Sequence, residues 1–174
     1  HFPSLTDWTP EDMTRAVNQA ERTFIRVEAD EVTYDLHILL RFELEKQLIE
    51  GSLSVADLPE AWNTAFEDLT NLTVPDHANG CLQDIHWSMG ALGYFPTYSL
   101  GNLNAAQLHA AALDQVLGLS NDLAKGNYAS LLQWLQTNIH AHGSQLLPEE
   151  LMTKATGRST EIAPYLKHLR SRYV

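Results

Sequence analysis

The chain has 174 residues, 44% of them apolar and 19% charged, with a formal net charge of -11 at pH 7. That length buries a real core as one domain or part of one, and that composition excludes disordered and fibrous classes. The acidic balance excludes nucleic acid as a partner, since phosphate binding needs a basic surface, and no apolar run approaches the roughly 20 residues of a membrane span.

His1 is an unusual first residue, and no secretory n-region or h-region follows it. A truncated or proteolytically released chain is the expectation. Thr9-Pro10-Glu11-Asp12 supplies an N-cap, a first-turn proline and two acids suited to a helix N-terminus. A helix is expected from there to about Arg22. Asp30 is a good N-cap for a second, long helix ending near Gly51. Leu58-Pro59-Glu60 opens a third, to about Thr70. Turn formers fill Val74 to Asn79. A short helix is expected over Gly80 to about Ser88, broken by Gly90 and Gly93. Pro96 fits the first turn of the next, which contains Leu103 to Leu117. Asn127 caps a helix to about Ala141, with Gly143 as its stop. Pro148-Glu149-Glu150 opens one that Gly157 ends, and Thr160 to about Arg172 is the last. No alternating run with hairpin chemistry competes. The expected fold is all-α, with residues 1–174 as a single helical domain.

The second helix is not patterned like a surface helix. Leu36, Ile38, Leu39, Leu40, Phe42 and Leu44 nearly surround it with apolar groups, which suits burial in something large. Tyr34, His37, Arg41 and Glu45 form one polar stripe at three- and four-residue spacing. Buried polar groups need partners, water or a cleft. A satisfied salt bridge from Arg41 to a carboxylate such as Asp84 accounts for Arg41 and His37. Asp30 reads as a cap.

Other residues have plain accounts. Cys81 is the single cysteine, which excludes an internal disulfide framework and suits a reducing cytoplasm. It reads as a buried, inert thiol. Trp8, Trp62 and Trp134 read as packing anchors. His140 and His142 are two apart near a helix end, so they diverge, and the Lys167 to Arg172 cations suit a helix C-terminus.

Two stretches combine polar chemistry with apolar surroundings. IRVEAD, from Ile25 to Asp30, and GCLQDIHW, from Gly80 to Trp87, resemble the IRxxAD and GxxQDxHW signatures of the carboxypeptidase Taq family of zinc metallocarboxypeptidases. GYFPTY, from Gly93 to Tyr98, is similar to the family as well. The family's zinc is held by an HExxH helix and a later Glu, both upstream of IRxxAD. No HExxH occurs here, and none of the histidines at 1, 37, 77, 86, 109, 140, 142 and 168 begins one. The resemblance therefore implies the C-terminal portion of a larger helical gluzincin-type metallopeptidase. Zinc belongs to the parent enzyme, no metal or other cofactor is expected in this chain, and the chain alone is expected to be inactive. The implied partners are the C-terminus of a peptide substrate, the missing N-terminal part of the same enzyme and a second copy in a homodimer.

The same resemblance implies roles for particular residues. Arg26 would hold the substrate's terminal carboxylate, as a guanidinium fork can; its plain alternative is a partner for Glu28 or Asp30. His86 and Tyr98 would donate to the tetrahedral oxyanion, as in related gluzincin peptidases. Gln83 and Tyr94 would contact substrate. On a helix Asp84 would point away from His86, so no Asp–His dyad is expected. Arg26 is expected to lie farther out than the other two and to be the most mobile. The alternative for the whole chain is a non-catalytic helical scaffold derived from a peptidase, and an apolar face left open by the missing part is expected in either case.

Overall fold

The structure is a computed structural model that describes residues 6–174; His1 lies outside the described residues. Eight α-helices account for the ordered elements there, with no strand: α1 Pro10–Val17, α2 Tyr34–Glu50, α3 Leu58–Thr70, α4 Pro96–Gln115, α5 Leu119–Ala124, α6 Ala129–Asn138, α7 Pro148–Thr156 and α8 Ala163–Tyr173. Short 3-10 turns occur at Arg26–Glu28, Trp87–Met89 and His140–His142. The fold is all-α, as expected. Among the described residues no helix is long and apolar enough to cross a membrane.

The chain divides into two compact units. One runs to Tyr98 and includes Arg172–Val174; the other is Ser99–Ser171. In the first, α2 packs on α3 around Leu40, Leu44, Trp62, Phe66 and Cys81, with Phe24, Leu58 and Trp87 against them. In the second, Ala112, Leu119, Trp134 and Ala155 form the core. There the buried Gln107 amide donates to Thr156 Oγ1 and to the Arg158 and Ser159 carbonyls, while its oxygen accepts from Glu161 N–H. One side chain thus fixes the connection from α7 to α8.

Several helix ends follow their local signals. Thr9 and Asp12 form a capping box at α1, and Gly51 closes α2 at φ 75°. Other expectations need correction. The first helix stops at Val17, not Arg22, because the next residues are drawn to other partners: Glu21 N–H donates to Asp30, and Arg22 to the Thr70 carbonyl. Asp30 caps a turn, accepting from Val32 and Thr33 N–H, and α2 begins at Tyr34. α5 was not foreseen. Asn127 does accept from Ala129 N–H, but α6 ends at Asn138 and passes into a 3-10 turn. Trp8 is exposed rather than packed, whereas Trp62 and Trp134 are buried.

The largest correction concerns Gly80 to Ser88. It is a chain of turns with a 3-10 turn at Trp87–Met89, not a helix. Gln83 explains why. Its side-chain nitrogen donates to the Asn79 and Gly80 carbonyls at 3.0 and 3.2 Å, the acceptors that the N–H groups of Gln83 and Asp84 would use in a helix. Side-chain competition for backbone acceptors unmakes helices in this way. Gly80 is also tightly packed: a Cβ there would meet Val74 Cγ1 at 3.0 Å and the Asp76 carbonyl oxygen at 3.1 Å, so these neighbours would have to shift to admit one.

The first unit's core rests on Phe66, 1% exposed, stacked on Phe24 at 5.9 Å and edge-on to His37 at 5.7 Å. Phe66→Ala is expected to lower the unfolding free energy by about 3–5 kcal/mol. A denaturant titration showing a loss under about 1 kcal/mol would contradict this packing.

Candidate functional site

The polar stripe of α2 is the frame of the site. Arg41 is fully buried. Its Nε donates to Asp84 Oδ2 at 2.7 Å, its Nη1 to the His37 carbonyl at 2.8 Å and its Nη2 to Gln83 Oε1 at 2.7 Å. The ion pair foreseen between Arg41 and Asp84 is present at 2.6 Å. About two helical turns before Arg41 and one turn after it, Tyr34 and Glu45 hold other parts. Tyr34 accepts from Arg26 Nη1 at 2.8 Å. Glu45 accepts from Trp87 Nε1 at 2.7 Å and from Gly93 N–H.

Arg26 sits in the 3-10 turn before α2 and is 6% exposed. Its Nε and Nη2 both donate to Asp84 Oδ1, at 3.1 and 2.7 Å. Its partner is thus Asp84, not Glu28 or Asp30, and it is held rather than loose. Gln83 fixes the backbone beneath it: Gln83 Oε1 accepts from Arg26 N–H at 2.9 Å, and Gln83 Nε2 donates to the Phe24 carbonyl at 3.0 Å. With the Asn79 and Gly80 carbonyls, both ends of that amide are occupied by the chain. Gln83 was expected to touch substrate; its contacts here are internal.

Two guanidiniums share one carboxylate, so the cluster carries a surplus positive charge. Burial would raise the Asp84 carboxyl, but Arg26 and Arg41 outweigh it and hold that carboxyl below its ordinary range. Burial pulls Arg41 down to about 10 against the pull of Asp84. In Arg26 the effect of burial is exceeded by Asp84 and Tyr34, and its pKa is raised. Of the five guanidinium N–H groups of Arg26, three are used by these bonds. One hydrogen on each terminal nitrogen remains.

His86 and Tyr98 come together. His86 Nε2 lies 3.0 Å from the Tyr98 hydroxyl. The His86 ring packs on Phe95 at 4.5 Å between centroids and on Tyr94 at 5.5 Å. Phe95 is buried, Tyr98 half-buried and Tyr94 half-exposed. The Arg26 guanidinium lies 4.8 Å from the centroid of the Tyr98 ring, closer than the outlying place expected for it. Since Gly80 to Ser88 is not a helix, Asp84 does approach His86, with Oδ1 3.7 Å from Nδ1. The sequence reading missed that approach and the Tyr34 contact; the α2 stripe was the signal for the second. Among the described residues no three His, Cys, Asp or Glu side chains gather to hold a metal ion, so the zinc that the family implies finds no ligand set in them.

His37 is buried against this cluster with its Nδ1 unpartnered. Burial, reinforced by Arg41 and Arg26, lowers its pKa from 6.5 to about 4. Between those values the unfolded chain binds a proton that the folded chain does not. Stability from this residue is therefore complete above about pH 6.5 and is lost as pH falls toward 4. Asp84, depressed as an acid, adds a loss only below the ordinary carboxylate range. Unfolding free energies measured at pH 7, 5.5 and 4.5 are expected to decline for the natural chain, and His37→Leu is expected to flatten that decline. An unchanged slope in the variant would remove His37 from the account.

Comparison with known proteins follows the same residues. The carboxypeptidase Taq (M32) metallopeptidase family matches residues 1–173. Thermostable carboxypeptidase 1 of Thermus thermophilus is 45% identical over 172 residues, which are 99% of this chain and 34% of that protein. Carboxypeptidase 1 of Bacillus subtilis is 39% identical, over 96% of this chain and 33% of its own length. The crystal structure of an M32 carboxypeptidase from Deinococcus radiodurans superposes with a TM-score of 0.94 at 44% identity, covering 99% of this chain and 35% of that one. The Pyrococcus furiosus carboxypeptidase structure gives 0.94 at 38% identity, covering 99% and 35%. The chain spans about a third of the length of the relatives it matches. By that match and by the IRVEAD and GCLQDIHW residues that build its buried cluster, the chain belongs to the carboxypeptidase Taq (M32) family of metallopeptidases.

Proposed function

We propose that this chain is one wall of the cleft of a metallocarboxypeptidase, the C-terminal third of an enzyme that removes C-terminal residues from peptides. The observation that carries the proposal is the 3.0 Å pairing of His86 Nε2 with the Tyr98 hydroxyl, beside a buried Arg26 whose cluster holds surplus positive charge. A peptide's terminal carboxylate meets the free N–H groups of Arg26. Tyr98, paired with His86, faces the oxygen that becomes negative during hydrolysis. Tyr94, half-exposed beside both rings, lines the substrate's path. Gln83 serves by fixing Arg26 rather than by touching the peptide.

The metal-bearing part of the cleft lies in the rest of the enzyme, which is this chain's first partner. Leu39, Phe42 and Ile49 on α2 are 46%, 43% and 64% exposed, and support a face made to be covered. This chain's own residues bind and orient the peptide; the hydrolytic group comes from outside it.

The proposal is tested by kinetics on an enzyme that carries this chain with a complete metal site. Tyr98→Phe is expected to lower kcat about 100-fold or more, with little change in KM, because the hydroxyl acts mainly on the transition state. Arg26→Lys is expected chiefly to raise KM and to weaken the preference for a free C-terminus over a C-terminal amide. A Tyr98→Phe enzyme with full kcat, or an Arg26→Lys enzyme with unchanged KM and selectivity, would refute the respective role.

A further inference from the structure

His86 has one nitrogen satisfied and one not. Nε2 faces the Tyr98 hydroxyl at 3.0 Å, while Nδ1 is buried with no hydrogen-bond partner. The acid beside Nδ1 is Asp84, whose Oδ1 stands 3.7 Å away. That carboxylate cannot swing toward or away from the ring, because Arg26 holds Oδ1 and Arg41 holds Oδ2. A neutral imidazole has one N–H and one lone pair, and which nitrogen carries which is set by its surroundings. With the hydrogen on Nε2, the Nδ1 lone pair would face a fixed negative oxygen in a water-poor site. With the hydrogen on Nδ1, that oxygen attracts it, and the Nε2 lone pair accepts from Tyr98.

We infer that Asp84 is a positioning residue that fixes His86 as the Nδ1–H tautomer, so that in the free protein Tyr98 donates its hydroxyl hydrogen to His86 Nε2. The inference rests on the proposed peptidase reading for its use, not for its geometry. It assigns different duties to the two residues paired above. His86 is the acceptor that aims the Tyr98 hydroxyl, and Tyr98 is the group that turns its hydrogen to a developing oxyanion. The turn is a rotation about the Cζ–O bond, with the oxygen left in place. One carboxylate oxygen then sets both ends of the site: Asp84 Oδ1 holds the carboxylate-binding Arg26 and sets the tautomer of His86 across 3.7 Å.

The test is nitrogen NMR of the 15N-histidine-labelled 174-residue chain at a pH where its histidines are neutral, with the His86 signals assigned by His86→Gln. Long-range proton–nitrogen correlations report which ring nitrogen carries hydrogen. The expected result is hydrogen on Nδ1 and an unprotonated Nε2. Hydrogen on Nε2 would overturn the inference. Asp84→Asn is expected to shift the tautomer ratio roughly tenfold or more toward Nε2–H, since a unit charge at this distance is strong in a partly buried setting; an unchanged ratio would overturn it. Tyr98→Phe removes the donor but leaves Asp84 in place, and it keeps the fold's buried ion cluster intact. In that variant hydrogen is expected to stay on Nδ1. A move to Nε2 would make Tyr98 the determinant and defeat the assignment to Asp84. None of these readouts needs metal or substrate, so failure of the peptidase reading and failure of the tautomer assignment are separate results.

Discussion

One largely covered carboxylate between two arginines governs the first unit of this molecule. Asp84 is taken by Arg41 on one oxygen and by Arg26 on the other. Stripping water from three charged groups is expensive, and such a pair is seldom a net source of stability. Its effect is on geometry. Once Arg41 is buried in α2, any arrangement without Asp84 leaves a bare cation in the core, at a cost of about 3–5 kcal/mol. The loop that bears Asp84 is therefore pinned to the helix. Arg26, Gln83 and His86 take their places from that loop or against it.

The α2 stripe acts as a ruler. Tyr34, Arg41 and Glu45 lie along one side of a rigid helix, and each grips a different segment: the turn of Arg26, the loop of Asp84 and Gln83, and the Trp87–Gly93 bend. Groups attached to a packed helix keep their spacing without a ligand. Phe95 fills the space between them, with the two guanidiniums at 5.9 and 5.4 Å and His86 at 4.5 Å from its ring.

Much of this was legible in the letters, and for identifiable reasons. Proline at the first turn marked the starts of α3 and α7, and Gly157 marked the end of α7, to within a residue. The three- and four-residue spacing of polar groups in an apolar helix announced the stripe, and Arg41 with Asp84 was its simplest solution. The helix expected over Gly80 to Ser88 failed because a side chain, Gln83, took the backbone acceptors a helix needs. That error carried the next one: a helix would have separated Asp84 from His86, and turns bring them within 3.7 Å. Both contacts are short in sequence, but Gln83 and Asp84 are also gripped by Arg26 and Arg41, about 40 to 60 residues back in the chain, which local propensity does not see.

The Gln83 amide has a consequence for how such a protein ages. Its oxygen faces N–H groups of Arg26 and Arg41, and its nitrogen faces the carbonyls of Phe24, Asn79 and Gly80. Hydrolysis of that amide to an acid would set a negative oxygen against three carbonyl oxygens at 3.0–3.2 Å, with no hydrogen to offer them. The change is one atom and almost no volume, yet it would reverse the sign of three contacts at once. The amide is only half-buried, so its specificity comes from the bonds at both its ends, and the fold depends on a side chain whose slow chemical decay it could ill absorb.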